Sequence, residues 1–227
     1  MSTVSGTTRV DAVLFDLDGT LIDTRALYME AYRLAVEPFV REDLTDDDIR
    51  ALRPTSEIRF LQDVVGEEDL DTCLEEFYRV YEALHADRFN GLFPGVAGTL
   101  AAIRAAGLSL GLVTGKSRRS WEITRRLADA LGPFDALVFD DDVRAPKPDP
   151  HGLEIALDTL AVAPDRALYV GDTLSDMEAA SAAGLRPVAA LWALDPERRA
   201  RQLERIRPVE ATPVDRPEEL LDVLRLR

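Results

Sequence analysis

Five short apolar runs, each bounded by turn or helix signals, constrain the fold of this 227-residue chain most tightly: AVLFDLD (12–18), LSLGLVT (108–114), ALVF (136–139), ALYVGD (167–172) and PVAAL (187–191). Runs this short and uniformly apolar suit strands buried on both faces of a parallel sheet. Helical patterns separate the later ones. GVAGTLAAIRAAG leads into the second run, SRRSWEITRRLADALG follows it, DPHGLEIALDTLAV precedes the fourth, and SDMEAASAAG joins the fourth to the fifth. Strands alternating with helices define the α/β class, a doubly wound parallel sheet.

One interval breaks this rhythm. About ninety residues separate the first run from the second, far beyond a normal crossover. Within it Leu27, Ala31, Leu34 and Ala35 recur at helical spacing, as do Leu70, Leu74, Phe77, Tyr81 and Leu84. Thr45 precedes DDDIRAL as a helix N-cap, and NGLFPG (90–95) reads as a return hinge. A small all-helical cap domain over 24–91 is therefore expected, inserted into an α/β core domain formed by 1–23 and 92–227. The tail RPVEATPVDRPEELLDVLRLR is expected to give a loop with prolines, then a short terminal helix capped near Asp215.

Composition narrows the function. With 46% hydrophobic residues the chain can bury a proper core. A net charge of −15 argues against nucleic acid or an anionic membrane as main partner, since both select a basic face. The single cysteine, Cys73, excludes an intrachain disulfide and a thiolate zinc cluster, and its spacing from Leu70 and Phe77 assigns it to a core. His85 and His151 are the only histidines, leaving little material for a histidine metal site or a Ser-His-Asp triad, and neither is expected to be catalytic. No apolar run approaches the roughly 20 residues of a membrane span, and the polar N-terminus lacks a signal-peptide core. A cytoplasmic protein of a reducing compartment is expected. Lysine occurs only at 116 and 147, in a chain that otherwise uses arginine, as if a compact ammonium were wanted there.

Polar residues follow the apolar runs. Asp16 and Asp18 end the first, Thr114 and Gly115 end the second, Lys147 follows the third, and Asp172 ends the fourth with Asp176 four residues on. If the first strand is central, with the second and fourth as neighbours, these residues converge where open α/β sheets bind ligands. If that strand runs through Asp18, its two carboxylates share one face and need a cation or proton between them. Gathered carboxylates with oxygen-only ligands favour Mg²⁺. An aspartate can attack phosphorus to form an aspartyl phosphate, provided Mg²⁺ and a lysine neutralise the meeting of two anions. The segment TGKSRRS offers a hydroxyl and helix-start N–H groups for phosphoryl oxygens, with Ser117 as helix cap.

DLDGT, the Thr114–Gly115 step, Lys147 with Pro148, and GDTLSD resemble, in their usual order, the four motifs of the haloacid dehalogenase superfamily. The position of the cap resembles that of its phosphoglycolate phosphatase branch, and the resemblance covers essentially the whole chain. It implies a Rossmann-like core beneath a helical cap, and Mg²⁺-dependent hydrolysis of a small phosphate monoester. Asp16 would be the nucleophile and a metal ligand. Asp18 would be the acid and base, its main-chain carbonyl a second ligand; Asp172 would be the third, with Asp176 at the metal or one water behind it. Thr114 and the Gly115 N–H would grip the phosphoryl group, and Lys147 would pair with Asp16 and the phosphoryl oxygens.

Further residues follow from the same resemblance. Lys116 is counted with the phosphate-binding residues; it and Arg118 lie beside that site and are otherwise surface charges. Arg53, in ALRPTSEI, falls in the cap loop that closes over substrate in similar phosphatases, with Leu52 where a glycine is usual. There it would read a substrate carboxylate or second phosphate. Asp23 is assigned as N-cap of the first cap helix, and the DDD runs at 46–48 and 140–142 as solvated turns. The implied partner is a small phosphorylated metabolite such as phosphoglycolate, pyrophosphate, or a nucleoside or sugar monophosphate, with the protein a monomer or homodimer. A pyrophosphatase or phosphomutase stays open, although the threonine after DLDG favours hydrolysis. A regulatory protein that holds phosphate on aspartate without turnover is the alternative from another class.

Overall fold

The central strand β1, Ala12–Phe15, is buried at every position, as a strand covered on both sides must be. It pairs in parallel with β2 (Ser109–Val113) and with β4 (Ala167–Gly171). Beyond them lie β3 (Ala136–Val138) on one side, and β5 (Arg186–Ala190) and β6 (Thr212–Val214) on the other, giving the order β3-β2-β1-β4-β5-β6. The structure, a computed structural model, describes residues 9–41, 44–52 and 56–226. The five expected strands form, with β1 central. The sixth is a correction to the proline-bearing loop expected in the tail. Pro213 has no N–H to give, which an edge strand tolerates.

Among the described residues, four helices occupy the long interval after β1: α1 (Arg25–Val36), α2 (Asp46–Leu52), α3 (Glu57–Val65) and α4 (Leu70–Arg88). Leu27, Ala31, Phe60, Leu61, Cys73, Phe77 and Tyr81 form their shared core. Thr45 does cap α2, accepting from the Asp48 N–H at 3.2 Å while its own N–H donates to Asp48 Oδ2 at 2.9 Å. The run 46–48 is exposed, as expected.

The two connections to this helical insert lie side by side. Asp23 N–H donates to Gly91 O at 2.9 Å, Asn90 N–H to Asp23 O at 3.3 Å, and Phe93 N–H to Leu21 O at 3.1 Å. Asp23 therefore ties the two connections together and does not cap a helix: Thr24 precedes α1, and the Asp23 carboxylate accepts from Asn90 Nδ2 at 2.9 Å.

The remaining helices are α5 (Val96–Ala105), α6 (Arg118–Thr124), α7 (His151–Leu160), α8 (Leu174–Ala182), α9 (Pro196–Ile206) and α10 (Leu220–Val223). The two-residue period of β1 divides them between the faces of the sheet. Val13 and Phe15 share a core with Val96, Leu100, Ile103 and Leu220, whereas Ala12 and Leu14 share one with Leu153, Ala156, Leu157, Ala179 and Ala180. Asp215 does not cap the terminal helix. It pairs with Arg199 at 2.6 Å, and Glu219 precedes α10.

Candidate active site

The chain leaves the sheet earlier than the first apolar run implies. β1 ends at Phe15; Asp16 N–H still donates to Val170 O at 2.8 Å, but Asp18 lies in an isolated bridge with Ile22. The two aspartates thus stand on a turn past the strand end. That turn passes through Gly19 at φ +87°, where a Cβ would sit 2.7 Å from Asp172 Oδ2, so any side chain would collide with the acidic cluster.

Asp16, Asp172 and Asp176 each offer a carboxylate oxygen within 4.8 Å of the others. Lys147 sits against them. Its Nζ donates to Asp16 Oδ1 at 2.7 Å, Asp176 Oδ1 at 2.6 Å and the Tyr169 hydroxyl at 3.0 Å. Tyr169 in turn donates to Val113 O at 2.8 Å, so β4 and β2 jointly hold the lysine in place. Sequence reasoning missed Tyr169; its one signal is a hydroxyl within an otherwise aliphatic strand.

Asp176 is fully buried. Its Oδ2 accepts the Thr173 N–H at 2.9 Å, while its own N–H donates to Thr173 Oγ1 at 3.2 Å, a reciprocal cap on α8. A Cβ at Gly171 would lie 2.5 Å from Asp176 Cβ, so glycine is what admits this helix start to the strand end. Burial pushes the Asp16 carboxyl up to about 7, an effect that Lys147 partly offsets. Burial, then the nearby charges of Asp176 and Asp16, drive Asp172 well above the ordinary carboxylate range.

Thr114 and Gly115 line the same cavity, of about 580 Å³, whose other walls include Tyr28, Met29, Tyr32 and Ile49 of the insert. Thr114 Oγ1 accepts the Lys116 N–H at 3.2 Å, and Ser117 caps α6 through the Ser120 N–H at 3.2 Å. Asp18 Oδ1 accepts from Thr24 Oγ1 at 2.6 Å and lies 3.4 Å from Lys116 Nζ. Lys116 is buried rather than a surface charge, whereas Arg118 turns away to Asp142 at 2.8 Å. Arg53 lies outside the described residues. His151 accepts the Arg144 N–H at 3.2 Å and His85 is buried, and neither is a member of the acidic cluster.

In the run 140–142, Asp141 and Asp142 are exposed as expected, but Asp140 is not solvated. Asp140 is buried beneath the start of α3, accepting from Ser56 Oγ at 2.6 Å and Ile58 N–H at 3.2 Å. Beside it the buried Glu57 accepts from Ser117 Oγ at 2.5 Å, Ser120 Oγ at 2.8 Å and the Tyr28 hydroxyl at 2.8 Å. Burial raises the Glu57 carboxyl, with Lys116 working against it.

A central parallel strand delivering a carboxylate, a part-buried lysine against it and an acidic cluster beneath a helical insert define an α/β fold with a candidate nucleophile and cation centre. Residues 13–190 match the haloacid dehalogenase-like hydrolases, and the chain belongs to that family. It is 31% identical over 189 residues to the pyrophosphatase PpaX of Bacillus velezensis, covering 82% of this chain and 85% of that protein. CbbY of Rhodobacter sphaeroides, solved in complex with phosphate, superimposes with a TM-score of 0.77 at 28% identity, over 93% of this chain and 96% of that one. A Lactobacillus plantarum protein assigned as a phosphoglycolate phosphatase gives 0.76 at 26% identity, over 97% and 100%. Among the described residues no helix is long and apolar enough to cross a membrane.

Proposed function

We propose that this chain is a Mg²⁺-dependent phosphatase that hydrolyses a small phosphate monoester through an aspartyl phosphate on Asp16. The observation that carries the reading is Lys147, whose three donors go to Asp16, Asp176 and Tyr169. Attack requires an ionised Asp16 in a site whose burial favours the proton, and the ammonium opposes that tendency.

Three crowded carboxylates facing one lysine leave negative charge for a hard cation to balance. Asp16, Asp172 and the main-chain carbonyl of Asp18 would hold it; that carbonyl accepts no hydrogen bond from the described residues. Asp176, with both oxygens on protein donors, would act one water behind. Bound Mg²⁺ supplies positive charge that neutralises the phosphoryl oxygens. The Thr114 hydroxyl and the Gly115 N–H would take the remaining phosphoryl oxygens.

In the first step an Asp16 oxygen bonds to phosphorus as the ester P–O bond breaks, and Asp18 gives its proton to the leaving oxygen. In the second, Asp18 takes a proton from the water that attacks phosphorus, and Asp16 is released. The helical insert would act as the cap, and a cavity of about 580 Å³ suits a small ester. Pyrophosphate is the second reading, favoured by the likeness to PpaX.

Phosphate release with Mg²⁺ across small esters and pyrophosphate tests both. One substrate is expected to turn over far faster than the rest, with Asp16→Asn lowering the rate by about 10³-fold or more. Release from pyrophosphate alone would select the second reading, and an Asp16→Asn enzyme keeping most of its activity would sink the mechanism.

A further inference from the structure

The two lysines of the chain divide the aspartate pair between them. Lys147 holds Asp16, and Lys116 lies against Asp18. The Lys116 side chain is wholly buried. Its ammonium is 3.4 Å from Asp18 Oδ1 and 2.8 Å from the Tyr81 hydroxyl, touches the Tyr28 hydroxyl, and stands 4.3 Å and 4.8 Å from the centres of the Tyr28 and Tyr81 rings. An ammonium has three donors. Two go to the tyrosine hydroxyls of the insert, and the Asp18 carboxylate is the anion paired with the ammonium.

The contacts on Asp18 are equally one-sided. Thr24 and Lys116 both meet Oδ1, and Oδ2 has no partner among the described residues. Tyr28 belongs to α1 and Tyr81 to α4, whereas Asp18 and Lys116 follow strands of the sheet. The ammonium therefore bridges the Asp18 carboxylate to the helical insert.

We infer that Lys116 is a positioning residue for Asp18, fixing one carboxylate oxygen against the seated insert so that the other exchanges the proton, and that it does not bind the transferred phosphoryl group. The inference rests on the phosphatase reading above. It separates two roles that phosphate binding would merge. A lysine gripping phosphate serves every ester alike, whereas one that orients the acid matters in the first step, which kcat/KM reports, only where the leaving oxygen needs a proton; the second step is common to all esters.

The test compares wild type with Lys116→Met and with Tyr81→Phe, which keeps the ring and removes one acceptor. Each is assayed on p-nitrophenyl phosphate, whose leaving group departs unprotonated, and on an alkyl phosphate, with inhibition by inorganic phosphate alongside. The expected result for Lys116→Met is a loss in kcat/KM of about 10²-fold on the alkyl ester. The aryl ester should lose less than about tenfold and phosphate inhibition should be unchanged; Tyr81→Phe should show the same split more weakly. Equal losses on both esters with weakened phosphate inhibition would overturn the inference, as would unchanged kinetics. A crystal structure of either variant adds a readout independent of substrate: Asp18 still oriented as in wild type would overturn it, and a turned carboxylate would support it. Failure of the phosphatase reading would show in wild type itself, as absence of turnover on every ester.

Discussion

His85 is buried, lies 5.0 Å from the Tyr81 ring and 4.8 Å from the Phe89 ring, and neither ring nitrogen meets a hydrogen-bond partner. Burial, then the charge of Lys116, holds its pKa down at about 4 against an ordinary 6.5. Between those values the unfolded chain binds a proton that the folded protein refuses. Stability is therefore full above about 6.5 and declines as pH falls toward 4. His85→Phe removes that dependence at nearly constant shape. The stability gap between variant and wild type, from urea unfolding, should be wider at pH 5 than at pH 7.5 by about 2 kcal/mol in the variant's favour. Asp16, raised to about 7, has the opposite pH dependence, but it is common to both proteins and cancels. An equal gap at the two pH values would contradict the account. Single residues of the acidic cluster were legible because each follows an apolar run, where a buried strand reaches solvent. The partners that hold them were not. Tyr169 hides in its strand, and the Tyr28 and Tyr81 hydroxyls reach Lys116 across 88 and 35 residues of sequence.

Among the elements, α3 shows how the insert seats on the sheet. Its first turn presents Ser56 to Asp140 and Glu57 to Ser117 and Ser120, while Glu57 N–H donates to Gly115 O at 3.0 Å. Glu57 thus spans the insert, the start of α6 and the Thr114–Gly115 loop. Glu57→Ala strands three hydroxyl donors in a buried site and should cost about 2 kcal/mol. Hydrogen exchange should show α1 and α3 opening faster than in wild type, with the strands protected as before; uniform exchange across the chain would count against a docking role. Strong elements were readable and their junctions were not. Five strands announce themselves as apolar runs, whereas TPV holds a single valine between Thr212, Pro213 and the charged Asp215 and Arg216. DDD at 140–142 looks solvated in any local window, and only the arrival of α3 buries Asp140.

At the scale of the molecule, one architectural rule was enough to anticipate the fold: strands alternating with helices, interrupted once by about ninety residues. What the order of residues could not convey is how far the insert closes onto the sheet. That closure buries Lys116 completely and leaves the Lys147 side chain 13% exposed. These are the only lysines in the chain, so, a terminal amine aside, every amine-directed reagent has the candidate active site as its target. Reductive methylation followed by peptide mass spectrometry should label Lys116 about 10²-fold more slowly in the folded protein than in urea. Labelling at the unfolded rate would mean the insert does not stay shut. Where most proteins present a crowd of reactive amines, this one would carry a chemical clock whose rate reports any opening of the helical insert.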